Sequence, residues 1–305
     1  MMNIYCVLIC ILFVQIFNLT ASQPLEQTVY NAQELAYWAE NNVLTQPKFD
    51  PALGGLTTLN QRGANYKPED VISKTFLADI MTSQNPNVCE IGCAFGLLAK
   101  ETLRNKKDIT YTAIDLDKEH LAHTVNNIKK LRDENLENFH PIQAQFPYVT
   151  FDKTFSHIGA FLVMHFMSPD EVTESLRKIE TLLSKGGKAY ILTSHYNSPA
   201  VPKLVPLWYT MRYWLGYSFP GYVGNIHYFL TIFRKFNLLP QKILNGPHLD
   251  SIPKSILLFD ADEFKNLVKR VTNLKVRQIV TLGSMLGTPD ESFEVKQVGI
   301  ILEKI

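Results

Sequence analysis

Between Asn87 and Thr193 the chain repeats strand, loop and helix, and this rhythm constrains its fold more than any other feature. Asn87–Ile91 reads as a short strand, followed by a glycine-bearing loop and a helix to about Asn105. Ile109–Ile114, Phe139–Ala144, Ile158–Met164 and Lys188–Thr193 carry the β-branched, aromatic and apolar residues of further strands. Leu121, Val125 and Ile128 give the intervening helix one apolar face. Ser168-Pro169-Asp170-Glu171 is a helix start, with Ser as cap, Pro in the first turn and Glu reaching back. Gly186-Gly187 ends that unit. The alternation returns with Asp260-Ala261-Asp262-Glu263 opening a helix, then strands at Val276–Leu282 and Phe293–Leu302. Strands joined through helices imply a seven-stranded, mostly parallel, doubly wound α/β sheet with helices on both faces.

The flanking segments are of other kinds. Residues 1–22 hold no charged side chain, and Ile4 to Leu19 is broken only by Gln15 and Asn18. Small residues follow at Thr20, Ala21 and Ser22. The pattern suits a signal peptide or a membrane anchor, so export is expected, with membrane association through residues 4–19 and a cytoplasmic catalytic domain as the alternative. Residues 23–86 read as a helical extension, with helices near Asn31–Val43 and Pro68–Met81. Residues 196–253 interrupt the main domain of residues 87–305 with an insert rich in Trp, Tyr and Pro. With 30 Lys and Arg against 29 Asp and Glu, the net charge of +1 gives no electrostatic case for a nucleic-acid partner. Cys89 and Cys93 belong to a strand and its turn, a poor geometry for a disulfide.

The chemistry concentrates at Glu90-Ile91-Gly92-Cys93-Ala94-Phe95-Gly96, where the first strand of the alternating section feeds its helix. Ligands of doubly wound sheets bind beyond the carboxyl ends of the strands, and glycines there let the backbone approach them. The spacing is not the G-x-G-x-x-G of a dinucleotide site. An acid two residues before the first glycine suits a ligand with a cationic group. This segment resembles the first motif of the class I S-adenosylmethionine-dependent methyltransferases, acid-x-Gly-x-Gly-x-Gly. Glu90, Gly92 and Gly96 match it, and Ala94 replaces the middle glycine. Further similarities run motif by motif over about residues 87–195.

The resemblance implies S-adenosyl-L-methionine as cofactor, held by Glu90, Gly92, Cys93, Ala94, Gly96, Asp115, Leu116, Gln143 and Ala144. Asp115 ends the second strand about 20 residues past the loop, where an acid can receive both ribose hydroxyls. Capping the next helix is the other reading for Asp115, and the favoured one for Asp117. Gln143 stands where the family usually has an acid facing the adenine amine, and Ser156 replaces another usual acid. Arg62 and Tyr66 precede the motif, in a segment expected to fold over the donor. Arg62 could meet the donor carboxylate or be an ordinary surface arginine.

His165 and His195 end the fourth and fifth strands and are the candidate bases, with a structural role as the alternative. His120 and His123 read as a solvated helix face, and no metal site is expected. Trp214, His227 and Tyr228 are candidate acceptor contacts in the insert, whose aromatics could equally pack on the sheet. The function implied is methyl transfer to a small, apolar or aromatic acceptor. A donor-binding module without catalysis and a methyltransferase acting on a protein are the alternatives.

Overall fold

A computed structural model of the chain describes residues 25–50, 55–60, 64–65, 69–131, 136–198, 204–224, 255–286 and 293–305. It begins with β1 (Thr28–Val29), α1 (Ala32–Asn41), β2 (Phe49–Asp50), β3 (Gly55–Thr57), β4 (Ala64–Asn65) and α2 (Val71–Thr82). The alternating section runs β5 (Asn87–Ile91), α3 (Leu97–Asn105), β6 (Thr110–Asp115), α4 (Lys118–Lys129), β7 (Phe139–Gln143), β8 (Phe155–Phe161), α5 (Pro169–Leu182) and β9 (Leu183–Ser194). Then come α6 (Leu204–Trp214), β10 (Tyr222–Val223), β11 (Ile256–Leu257), α7 (Ala261–Val271), β12 (Lys275–Leu286) and β13 (Phe293–Glu303).

The main sheet has eight strands in the order β1-β7-β6-β5-β8-β9-β13-β12, one more than the expected seven. The addition is β1, which pairs antiparallel with β7 through Thr28↔Gln143 and Val29↔Ile142. Two residues are too few to show an alternating pattern. The five central strands are mutually parallel, and β13 runs antiparallel to both β9 and β12. From β5 the chain steps outward through β6 to β7, then returns to β8 and steps the other way. The direction of winding therefore changes between β5 and β8, where a crevice opens beyond the strand ends.

Alternate residues of each strand enter two cores. Cys89, Ile91, Ile114 and Ile158 pack under α5 and α7, through Leu176, Ile179, Phe264 and Val268. Val88, Tyr111, Ala113 and Leu192 pack on the other face with Leu35, Phe76, Leu98 and Val125 from α1 to α4. The first two helices thus cover the sheet directly, α2 burying Ile72, Phe76 and Ile80 completely. α2 starts at Val71 because the Asp70 side chain receives the Ile72 and Ser73 N–H groups, each at 2.9 Å.

The helix start at Ser168 forms as expected. Ser168 donates its backbone N–H to Glu171 Oε2 at 2.7 Å, and Ser168 Oγ accepts from the Glu171 N–H at 3.3 Å. β8 ends three residues before the expected Met164, because Leu162 adopts a φ of +54°. The described part of the insert contains α6 and β10. Residues 4–19 lie outside the described residues. Among the described residues no helix is long and apolar enough to cross a membrane.

Candidate functional site

After β5 the backbone turns through Gly92, Ala94 and Gly96, with φ values of +71°, +46° and +66°. Two of these sites also lack room for a side chain. A Cβ on Gly92 would sit 2.4 Å from Val163 Cγ2, and one on Gly96 would sit 2.2 Å from Thr124 Cγ2. The Gly92 and Cys93 N–H groups donate to the Ile114 carbonyl, at 2.8 and 3.2 Å, which pins the loop to the end of β6. Gly96 caps α3 from behind the loop, without a side-chain bond.

Asp115, at the end of β6, is nearly buried and heavily engaged. Its Oδ2 accepts the Ala94 N–H at 2.8 Å. Its Oδ1 accepts the Asp117 N–H at 3.0 Å and faces His120 Nδ1 at 2.9 Å. A carboxylate has about four lone-pair sites. Three are used, which leaves room for one further donor rather than the pair of ribose hydroxyls expected. Asp117 caps α4 through a 2.8 Å bond from the Glu119 N–H, as expected.

Glu90 is buried and accepts the Tyr111 hydroxyl at 2.7 Å. Burial pushes its pKa up to about 8, and neighbouring Asp115 adds to the rise. The ligand-free carboxyl therefore carries a proton at neutral pH, and it becomes an anion only if a cation compensates for the burial. Burial raises the pKa of the Cys93 thiol too, and both Cys89 and Cys93 are free.

These groups line one cleft beyond the ends of β5, β6, β7 and β8. Glu90, Gly92, Cys93, Ala94, Asp115, Leu116 and Ala144 of the expected set border it. Asp70 and Ser73 from the start of α2, Thr58 and Asn60 from the segment after β3, and Glu171 from α5 do so as well. One wall is apolar, made by Phe161, Leu162, Val163, Phe166 and Met167. Four acidic side chains, Asp70, Glu90, Asp115 and Glu171, and no lysine or arginine border the cleft among the described residues. The same residues contain no cluster fit to hold a metal ion.

Several expected residues are placed elsewhere. Gly96 does not border the cleft, and neither does Gln143. Its Oε1 accepts the Tyr30 hydroxyl at 2.7 Å and its Nε2 donates to the Leu116 carbonyl at 3.1 Å, so its amide is held by the segment after β1. Gln145, two residues on, borders the cleft instead and donates to Glu171 Oε1 at 2.7 Å.

His165 lies in a short 3-10 turn, Met164–Phe166, past the end of β8. It is buried against Phe166 and does not border the cleft, and burial lowers its pKa to about 3. His195 stacks on Tyr196, accepts the Asn197 N–H at 3.0 Å and is also outside the cleft. The free-base role expected of these two histidines has no support in this geometry. Trp214, at the end of α6, is 82% exposed and does not border the cleft either. Arg62, Tyr66, His227 and Tyr228 lie outside the described residues.

Of the two histidines expected to be solvated, His123 is half-buried and His120 is fully buried. His123 Nε2 donates to the Thr45 carbonyl at 2.8 Å, and His120 is only 1% exposed. Burial opposes a charge on the His120 ring, and its bond to Asp115 and the charges of Asp115, Asp117 and Glu119 raise its pKa, whereas the Leu59 N–H aimed at Nε2 from 2.9 Å requires that nitrogen to be unprotonated and so selects the neutral ring. The signal that could have found His120 is its place five residues after Asp115, in the first turn of α4.

A family profile described as a methyltransferase domain matches residues 89–189, which hold the glycine loop, Asp115 and the strands around the cleft. No curated protein matches the chain. Solved structures of similar shape include TehB from Haemophilus influenzae, 15% identical, with 78% of this chain and 68% of that one covered and a TM-score of 0.49. A 1,6-didemethyltoxoflavin-N1-methyltransferase from Burkholderia thailandensis is 11% identical, with 77% and 79% covered and a TM-score of 0.48. A SAM-dependent methyltransferase from Aquifex aeolicus is 11% identical, with 90% and 100% covered and a TM-score of 0.46.

Proposed function

We propose that this chain is a methyltransferase of the class I S-adenosylmethionine-dependent family, a reading supported by the methyltransferase-domain profile over residues 89–189, and that it methylates a small, apolar or aromatic acceptor at the cleft between β5 and β8. The observation that carries the proposal is the division of this cleft. Glu90 and Asp115 stand behind the glycine loop, and the wall from Phe161 to Met167 presents apolar side chains. When bound, S-adenosyl-L-methionine supplies a methyl group already activated by a sulfonium.

The chain's residues then bind and align. Asp115 receives one ribose hydroxyl at its remaining lone pair, and Glu90 ionises to meet the cationic end of the donor. The loop from Gly92 to Gly96 lets the backbone come close. Phe161, Val163 and Met167 exclude water and orient an apolar acceptor for in-line displacement. Such ordering is worth roughly 7–11 kcal/mol of the barrier. Of the histidines, only His120 borders the cleft among the described residues, and both its ring nitrogens are engaged.

The test is incubation of the full chain with isotopically labelled donor and a panel of aromatic and aliphatic small molecules, read by mass spectrometry. Label in a small acceptor supports the proposal, and label only in proteins overturns it. A protein acceptor is the second reading, favoured by the exposed face of α6, where Leu207, Met211 and Trp214 recur at helical spacing. The uncharged run in residues 4–19 supports export, and amino-terminal sequencing of protein from the native source would check it.

A further inference from the structure

We propose that His120 is a positioning residue for the methyl donor, joining the Asp115 carboxylate to the segment Thr58–Asn60 through the two nitrogens of one neutral ring. This rests on the reading that Asp115 receives the donor's ribose.

The tautomer follows from the partners. The Leu59 backbone N–H points at His120 Nε2 at 2.9 Å. A backbone N–H can only donate, so Nε2 must be the acceptor. A neutral ring then carries its proton on Nδ1, which donates to Asp115 Oδ1 at 2.9 Å. Both bonds are sheltered from water, because the His120 side chain is 1% exposed. The ring is braced on another side by Phe95 of the glycine loop, in a T-shaped contact with centroids 5.1 Å apart. On the helix side, Thr124 Oγ1 bonds both the His120 carbonyl, at 3.0 Å, and the Ala94 carbonyl, at 2.9 Å.

One side chain thus touches the carboxylate, the glycine loop and the Leu59 segment. Thr58 and Asn60, on either side of Leu59, border the cleft together with Asp115. Fixing Oδ1 leaves only Oδ2 to accept from the ribose, in a direction set by the ring. Holding the Leu59 N–H sets the height of Thr58 and Asn60 above the same end of the cleft. A residue that only filled core space would need neither bond, and phenylalanine would replace it.

The experiment compares the full chain with its His120→Phe, His120→Gln and Leu59→Pro variants, using S-adenosylhomocysteine as the probe. Glutamine keeps a donor and an acceptor, phenylalanine keeps only the ring, and proline removes the Leu59 N–H while leaving His120 intact. Affinity is measured by calorimetry, and hydrogen exchange of the peptide containing Leu59 is measured on the ligand-free proteins. The expected result is an affinity loss of about tenfold or more in His120→Phe and in Leu59→Pro, with faster exchange around residue 59 in both. His120→Gln should recover most of the affinity.

Unchanged affinity in His120→Phe and Leu59→Pro overturns the proposal while leaving the donor-binding reading intact. So does a loss in His120→Phe that glutamine does not recover and Leu59→Pro does not share. If the unmodified chain binds no S-adenosylhomocysteine, the donor-binding reading fails, and the positioning role built on it fails with it. If His120→Phe does not fold, His120→Gln and Leu59→Pro decide.

Discussion

The backbone N–H of Ala94 donates to Asp115 Oδ2 at 2.8 Å, which ties the glycine loop after β5 to the acid that ends β6. The cleft depends on this link, since each partner holds the other in the position a ligand must find.

Ala94 holds a left-handed backbone, φ +46°, at the position where the motif it resembles carries glycine. An L-residue pays roughly 1–2 kcal/mol for that conformation, and glycine does not. Ala94→Gly should therefore raise the unfolding free energy by about 1 kcal/mol. Denaturant unfolding of the two proteins measures it. A glycine variant less stable than the parent would show that the loop is not strained at this residue.

Glu90 is an acid whose pKa folding raises, so its contribution to stability falls as pH increases from its ordinary value of 4.5 to about 8. Over that range the unfolded carboxyl has lost a proton that the folded one keeps. Glu90→Gln should be more stable relative to the parent at pH 8 than at pH 5, and thermal melts at the two pH values test the sign. Donor binding should show the complement. Below pH 8 the carboxyl must release a proton to meet a cation, so affinity weakens toward acid pH by up to about tenfold per unit, and Glu90→Gln flattens the dependence.

Tyr209 fastens α6 to α7. Its ring stacks on Tyr196 with centroids 3.9 Å apart, and its hydroxyl donates to Glu263 Oε2 at 2.7 Å. Burial raises the Glu263 pKa to about 7, and Tyr209 counters that rise. Tyr209→Phe leaves the carboxylate without this donor, at a cost of about 1–3 kcal/mol. The cost should be larger at pH 8, where Glu263 is ionised, than at pH 5, where it is protonated. Equal losses at the two pH values would place the effect in ring packing instead.

The long strands and the helix start at Ser168 were legible because each has a local pattern or a cap with fixed spacing. The glycine loop and Asp115 were legible for the same reason. The features that escaped depend on distant partners. Gln143 looks available until Tyr30, from the far end of the chain, occupies its carbonyl. His165 looks like a strand end until Leu162 turns the backbone and carries it into the buried turn. His120 looks like surface because the spacing of α4 names its faces without saying what lies over them. The segment ending in Leu59 covers it, and no local pattern announces a contact 61 residues away.

The most direct test of the account is calorimetric titration of S-adenosyl-L-methionine into the full chain and into Asp115→Ala. One donor should bind per chain, and the alanine variant should lose most of that affinity while keeping its fold. No binding to the unmodified chain, or the same affinity in Asp115→Ala, would contradict the assignment of this cleft as the donor site.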